Sequence, residues 1–126
     1  MGTQVVKVFD LVIGRTGGLR DDEAVAYDPL TIAYETWDHK AYYPGATAMH
    51  IHLTADRRTG QLLGVQIMGH TSAEISKRLD VLTVALHQRL TTAQLSELDL
   101  SYTPPLSSPW DPVQMTAQAW EQLCGV

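Results

Sequence analysis

The stretch HKAYYPGATAMHIH, residues 39 to 52, gathers three histidines, two adjacent tyrosines and a Pro-Gly turn into fourteen positions. Imidazole is both a frequent metal ligand and a general base, so these residue types could do chemistry here. In an extended chain His50 and His52 point the same way, and with His39 or His70 they reach the ligand number of a tetrahedral zinc ion. No carboxylate or thiolate is patterned beside them, so they read better as polar residues on the outer face of a half-buried strand. No metal is therefore expected. Cys124 is the only cysteine. That excludes an internal disulfide, a Cys-x-x-Cys redox pair and a cysteine-rich zinc site, and it suits a reducing cytosol. Its place on an apolar helix face fits an inert packed thiol better than a nucleophile. Trp37, Trp110 and Trp120 read as packing anchors rather than a ligand cage. The sequence has no G-x-G-x-x-G after a strand, no phosphate-binding loop, no H-E-x-x-H and no G-x-S-x-G, and GRTGG does not have dinucleotide spacing.

Strands come first along the chain and helices later, which predicts an α+β fold. TQVVKVFDLVIG, closed by RTGG, reads as one long strand or two shorter ones. LRDDEAVAY predicts a short helix ended at Asp28, because a residue before proline disfavours the helical region. LTIAYETW alternates as a strand. In AMHIHLTADRRTGQLLGVQIMG, Met49, Ile51 and Leu53 alternate with His50, His52 and Thr54, and DRRTG turns the chain into Leu63, Val65 and Ile67. That segment predicts a hairpin. Thr71 and Glu74 have capping-box spacing ahead of Ile75, Leu79, Leu82 and Leu86, the stripe of an amphipathic helix. Thr91 and Gln94 make a second box before a short helix through Leu95 and Leu98. Asp111-Pro112 supplies a cap and a first-turn proline for a third helix, on which Val113, Ala117, Trp120 and Cys124 share a face. Between these last two helices, LDLSYTPPLSSPWDP is too proline-rich for a helix and reads as an ordered arm.

Composition narrows the class. At 126 residues, 44% hydrophobic and 18% charged, the chain fits a single domain, 1–126, large enough to hold a core without staples. Nine Lys+Arg and a formal charge of −5 leave no basic stripe, so nucleic acid is not an expected partner. No apolar run approaches the roughly 20 residues that span a bilayer, and the N-terminus has no signal pattern, so no membrane is expected either.

Taken in order, TQVVKVFDLVIGRTG, HKAYYPGAT, MHIHLTADRRTGQLLGVQIMG, KRLDVLTVALHQRLT and LDLSYTPPLSSPWDPVQM resemble the C-terminal dimerisation domain of the FAD-dependent pyridine nucleotide-disulfide oxidoreductases. The resemblance covers nearly the whole chain and is strongest to the branch of coenzyme A disulfide reductase and NADH oxidase. It implies an antiparallel sheet of four to five strands with helices packed mainly on one face, and a cytoplasmic homodimer. The two dinucleotide-binding domains that precede this domain in the family are missing here, which accounts for the absent glycine motifs. FAD and NAD(P)H are accordingly expected in a parent enzyme, beside its FAD- and NAD-binding domains and a single active-site cysteine, and no cofactor is expected in this domain alone. The parent's electrons would pass from NAD(P)H through flavin to a disulfide, persulfide, peroxide or oxygen.

The resemblance also implies site residues. The arm TPPLSSPWDP lacks the histidine that the glutathione-reductase branch contributes across its dimer. In the coenzyme A disulfide reductase branch tyrosines reach the partner subunit's active site, and they match Tyr102 in SYTPP and one of the pair in YYPG, Tyr42 ahead of Tyr43. A phenol with an ordinary pKa near 10 stays protonated at neutral pH and can give a hydrogen bond or proton to a departing thiolate. Pro44-Gly45 and Pro104-Pro105 would hold the rings at fixed reach. The alternative for all three is an interface aromatic with a satisfied hydroxyl. Leu106 stands where the family usually has an aromatic and Trp110 where a lysine is common, which puts coenzyme A disulfide itself in doubt as the substrate. Two further readings stay open: a free-standing dimeric module that binds a ligand or protein without catalysis, and a zinc protein using His39, His50 and His52.

Overall fold

The computed structural model describes residues 2–18, 26–37, 48–71, 74–98 and 112–124. Five strands, β1 (Gln4–Val8), β2 (Leu11–Gly17), β3 (Pro29–Trp37), β4 (Ala48–Asp56) and β5 (Leu62–His70), form one sheet in the order β1-β2-β5-β4-β3. Every pairing is antiparallel. Among the described residues the helices are α1 (Ile75–His87), α2 (Thr92–Ser96) and α3 (Pro112–Cys124). This is the α+β fold expected from the sequence, with five strands.

Alternation decides which residues face inward, because successive side chains on a strand point to opposite sides. Leu53 lies between Ile32 and Val65 in register, and Ile51 lies between Tyr34 and Ile67. Ile32, Met49, Ile51, Leu53, Val65 and Ile67 are all buried and share one cluster with Ile75, Leu79 and Leu82 of α1 and Val113, Ala117 and Trp120 of α3. Both long helices therefore cover the same sheet face. Burying each Val, Leu, Ile or Met side chain of this cluster contributes about 1.5–3 kcal/mol.

TQVVKVFDLVIG resolves into two strands, because Phe9 and Asp10 reverse the chain between Val8 and Leu11. Phe9 has φ 54°, a conformation that glycine favours in a two-residue hairpin, and its ring is 91% exposed. At the other end of β2 glycine is required. Gly17 has φ +72°, and a Cβ there would lie 2.6 Å from the Leu63 carbonyl oxygen.

Two helix starts differ in outcome. Thr91 and Gln94 form the expected box: the Thr91 hydroxyl accepts from the Gln94 N–H at 3.2 Å, and the Gln94 carboxamide oxygen accepts from the Thr91 N–H at 2.9 Å. The box expected at Thr71 and Glu74 does not form. α1 begins only at Ile75, with Glu74 itself at the cap in the left-handed region (φ 56°) and no side-chain cap bond. Thr71 is held instead by its N–H, which donates to Asp10 O at 2.9 Å in the β1–β2 turn. The short helix expected over 19–27 falls on 19–25, outside the described residues, and Ala26 and Tyr27 are not helical. In α3, Val113, Ala117 and Trp120 are buried as the stripe predicts. Cys124 is half-buried beside the core, its thiol 3.7 Å from Arg57 O.

Candidate functional site, the open face of the sheet

The face opposite the helices is read directly from the register. Across it run Val6, Ile13, Met68, His50 and Glu35, each opposite the next on the neighbouring strand. A second row is Gln4, Arg15, Gln66, His52 and Ala33. The β1–β2 ribbon is apolar on this face towards its turn and polar at Gln4 and Arg15, and the β3–β4 side is polar. On β1 and β2, Val6, Val8, Leu11 and Ile13 are 39–57% exposed. On β3 and β4, Glu35, His50 and His52 are exposed, and the Thr31 and Thr54 hydroxyls bond to one another at 2.6 Å.

Between these two sides the surface is concave. One hollow of about 320 Å³ is lined by Arg15, His52, Thr54 and Gln66, with the backbone of Gly17 and Gly64 at its edge. A smaller one, about 140 Å³, lies against Ile13, His50 and Met68. Its polar groups can fix the orientation of whatever covers the face, while the aliphatic residues supply area.

The pair His50 and His52 does project from one face, as alternation predicts. The carboxylate thought absent from their surroundings is present: Glu35 Oε2 lies 3.7 Å from His50 Nδ1. It escapes the sequence because it is a cross-strand neighbour, and only the β3–β4 register brings it there. Among the described residues no group of three or more His, Cys, Asp or Glu could hold a metal ion. His39 lies outside the described residues, as do Tyr42, Tyr43, Tyr102, Leu106 and Trp110. The described framework sets where those segments attach. Residues 38–47 join the end of β3 to the start of β4, and residues 99–111 join the end of α2 region to α3.

Two buried polar anchors hold that framework. Trp120, 1% exposed, donates its indole N–H to Leu30 O at 2.8 Å and so ties α3 to β3. Asp56 closes the β4–β5 turn. Its carboxylate accepts from the N–H groups of Arg58 at 3.0 Å and Asp28 at 3.3 Å and from the Thr59 hydroxyl at 3.2 Å. Burial pushes the Asp56 carboxyl up, but these hydrogen bonds and the nearby Arg58 guanidinium together outweigh it and hold the pKa below the ordinary carboxylate value. Asp at the head of a turn is a recognisable sequence signal for such side-chain-to-backbone bonds.

No helix among the described residues is long and apolar enough to cross a membrane. Residues 3–112 match the family model described as "Pyridine nucleotide-disulphide oxidoreductase, dimerisation domain". The chain is 34% identical over 115 residues to the coenzyme A disulfide reductase of Staphylococcus haemolyticus, covering 91% of this chain and 26% of that protein. It is 37% identical over 120 residues to the CoA-dependent NAD(P)H sulfur oxidoreductase of Pyrococcus furiosus, covering 94% of this chain and 26% of that one. Among solved structures, reduced Bacillus anthracis CoADR-RHD superposes with a TM-score of 0.88 at 35% identity, over 98% of this chain and 22% of that one. The NAD-dependent persulfide reductase of A. fulgidus gives a TM-score of 0.86 at 32% identity, over 98% and 23%. This chain thus spans about a quarter of the length of the curated relatives it matches. It belongs to the dimerisation-domain family of the pyridine nucleotide-disulphide oxidoreductases.

Proposed function

We propose that this chain, as one domain over 1–126, forms the homodimer interface of a longer cytoplasmic flavoprotein and lends tyrosines to the partner subunit's active site. The observation that carries the reading is the apolar part of the open face, where Val6, Val8, Leu11 and Ile13 stand side by side on paired strands, 39–57% exposed, with no helix among the described residues over them. A contiguous apolar patch of this kind marks an interaction surface, and a two-fold dimer needs one that complements itself. The family description as a dimerisation domain supports a second copy as the occupant.

The described residues do not fit a dinucleotide cradle of their own. Gly17 and Gly64 are consumed by the close approach of β2 and β5, since a Cβ on Gly64 would lie 2.9 Å from Gly18 N. FAD and NAD(P)H are accordingly assigned to other domains of the parent chain, where reducing equivalents reach a disulfide, persulfide, peroxide or oxygen. This chain's part is positioning and proton donation. Tyr102, with Tyr42 and then Tyr43, places a neutral phenol beside the departing thiolate or developing oxyanion across the dimer, an acid that brings no charge of its own. The low cysteine content supports a reducing compartment.

Self-association of Ile13→Glu tests the interface. A carboxylate in the middle of the apolar part must be desolvated when a second copy covers it. Sedimentation equilibrium is expected to give a dimer dissociation constant raised at least about a hundredfold, the effect of roughly 3 kcal/mol. An unchanged constant places the interface elsewhere.

A further inference from the structure

We propose that Gln114 is a positioning residue that pins together the two ends of the connection 99–111, on which Tyr102 lies. The proposal rests on the reading of Tyr102 as a proton donor, but its first test does not. α2 is a five-residue helix, and the carbonyls at its C-terminal end have no partners further along the helix. Gln114 stands in the first turn of α3, 3% exposed. Its side-chain amide nitrogen donates to Ser96 O at 3.2 Å and to Leu98 O. A primary amide carries two N–H donors, the number these two carbonyls need. In the same turn the Thr116 hydroxyl donates to Pro112 O at 2.8 Å.

The chain therefore enters and leaves 99–111 at points joined by one buried side chain, in addition to the apolar contacts between α2 and α3. Apolar packing is tolerant of small slides. Two hydrogen bonds from one planar group are not, because each weakens steeply with distance and angle. That distinction matters for a donor that must meet a group in another subunit, where a misplacement of about 1 Å costs on the order of a hundredfold in rate. No other side chain of similar size offers two donors without a charge, so Gln114→Leu fills the space and leaves both carbonyls unserved, while Gln114→Asn keeps both donors on a stem one methylene shorter.

Amide hydrogen exchange on this chain separates a local clamp from general stability. In Gln114→Leu, peptides covering 94–98 and 112–118 are expected to exchange roughly tenfold faster, as the local opening free energy falls, while β4–β5 peptides keep their rates. Gln114→Asn is expected to fall between the two, and its region-specific change serves alone should the leucine variant not fold. Unchanged rates at 94–98 and 112–118, or an equal acceleration in every peptide, overturns the proposal. In the parent enzyme, Gln114→Leu is expected to lower kcat with KM kept, and Gln114→Asn to restore part of it. Tyr102→Phe is expected to leave the exchange pattern unaltered, so a failed donor role and a failed clamp give different results.

Discussion

Asp56 is 3% exposed and still carries its charge, which makes the β4–β5 turn sensitive to acid. Its folded pKa lies below the ordinary value of 3.8. The carboxylate therefore contributes its stability in full above that value and loses it as pH falls through the lower folded one. Asp56→Asn keeps the shape and removes the charge, so at neutral pH its unfolding free energy is expected to drop by about 1–3 kcal/mol. Urea unfolding at pH 7 and at pH 3 checks this: the gap to wild type narrows in acid, whereas an equal gap at both pH values contradicts the assignment. In the parent enzyme Tyr102→Phe removes one hydroxyl and is expected to lower turnover by roughly ten- to a thousandfold. Unchanged turnover in steady-state assays would reduce Tyr102 to packing. Single residues are where the sequence was least legible. Glu35 beside His50, the Asp28 N–H that reaches Asp56 and the two bonds of Gln114 depend on neighbours distant along the chain, and no local pattern contains them.

Elements were more legible, because periodicity is a local property. The β4–β5 hairpin, the alternation of Met49, Ile51 and Leu53 with His50 and His52, and the stripe Ile75, Leu79 and Leu82 all appear as the spacing predicts. The start of α1 was not legible. Capping-box spacing at Thr71 is overridden by a backbone bond to Asp10, a contact across sixty-one positions of sequence that propensity cannot see. Trp120 shows how one side chain joins two elements. Trp120→Phe keeps most of the buried area but leaves Leu30 O without its indole donor. The expected loss is about 1–3 kcal/mol of unfolding free energy, with the loosening concentrated where α3 meets β3. Thermal unfolding measures the first part, and no change in midpoint would mean that the N–H to carbonyl bond adds nothing beyond packing.

At the scale of the molecule, the layout explains why the fold could be anticipated from the sequence. A sheet with helices on one side follows from strands first and helices later, and the two sheet faces differ in the way alternation demands. The second face shows apolar area that no helix among the described residues covers. The β1–β2 ribbon carries most of that area, from Val6 to Ile13, with Phe9 at its tip. Next to it the hollow at Arg15, His52 and Gln66 provides polar groups that can fix a register between two copies. The central claim is that this chain pairs with a second copy. Light scattering of the purified chain at high micromolar concentration tests it most directly: the account predicts a molar mass of about twice 13.9 kDa, and a mass that stays at 13.9 kDa contradicts it.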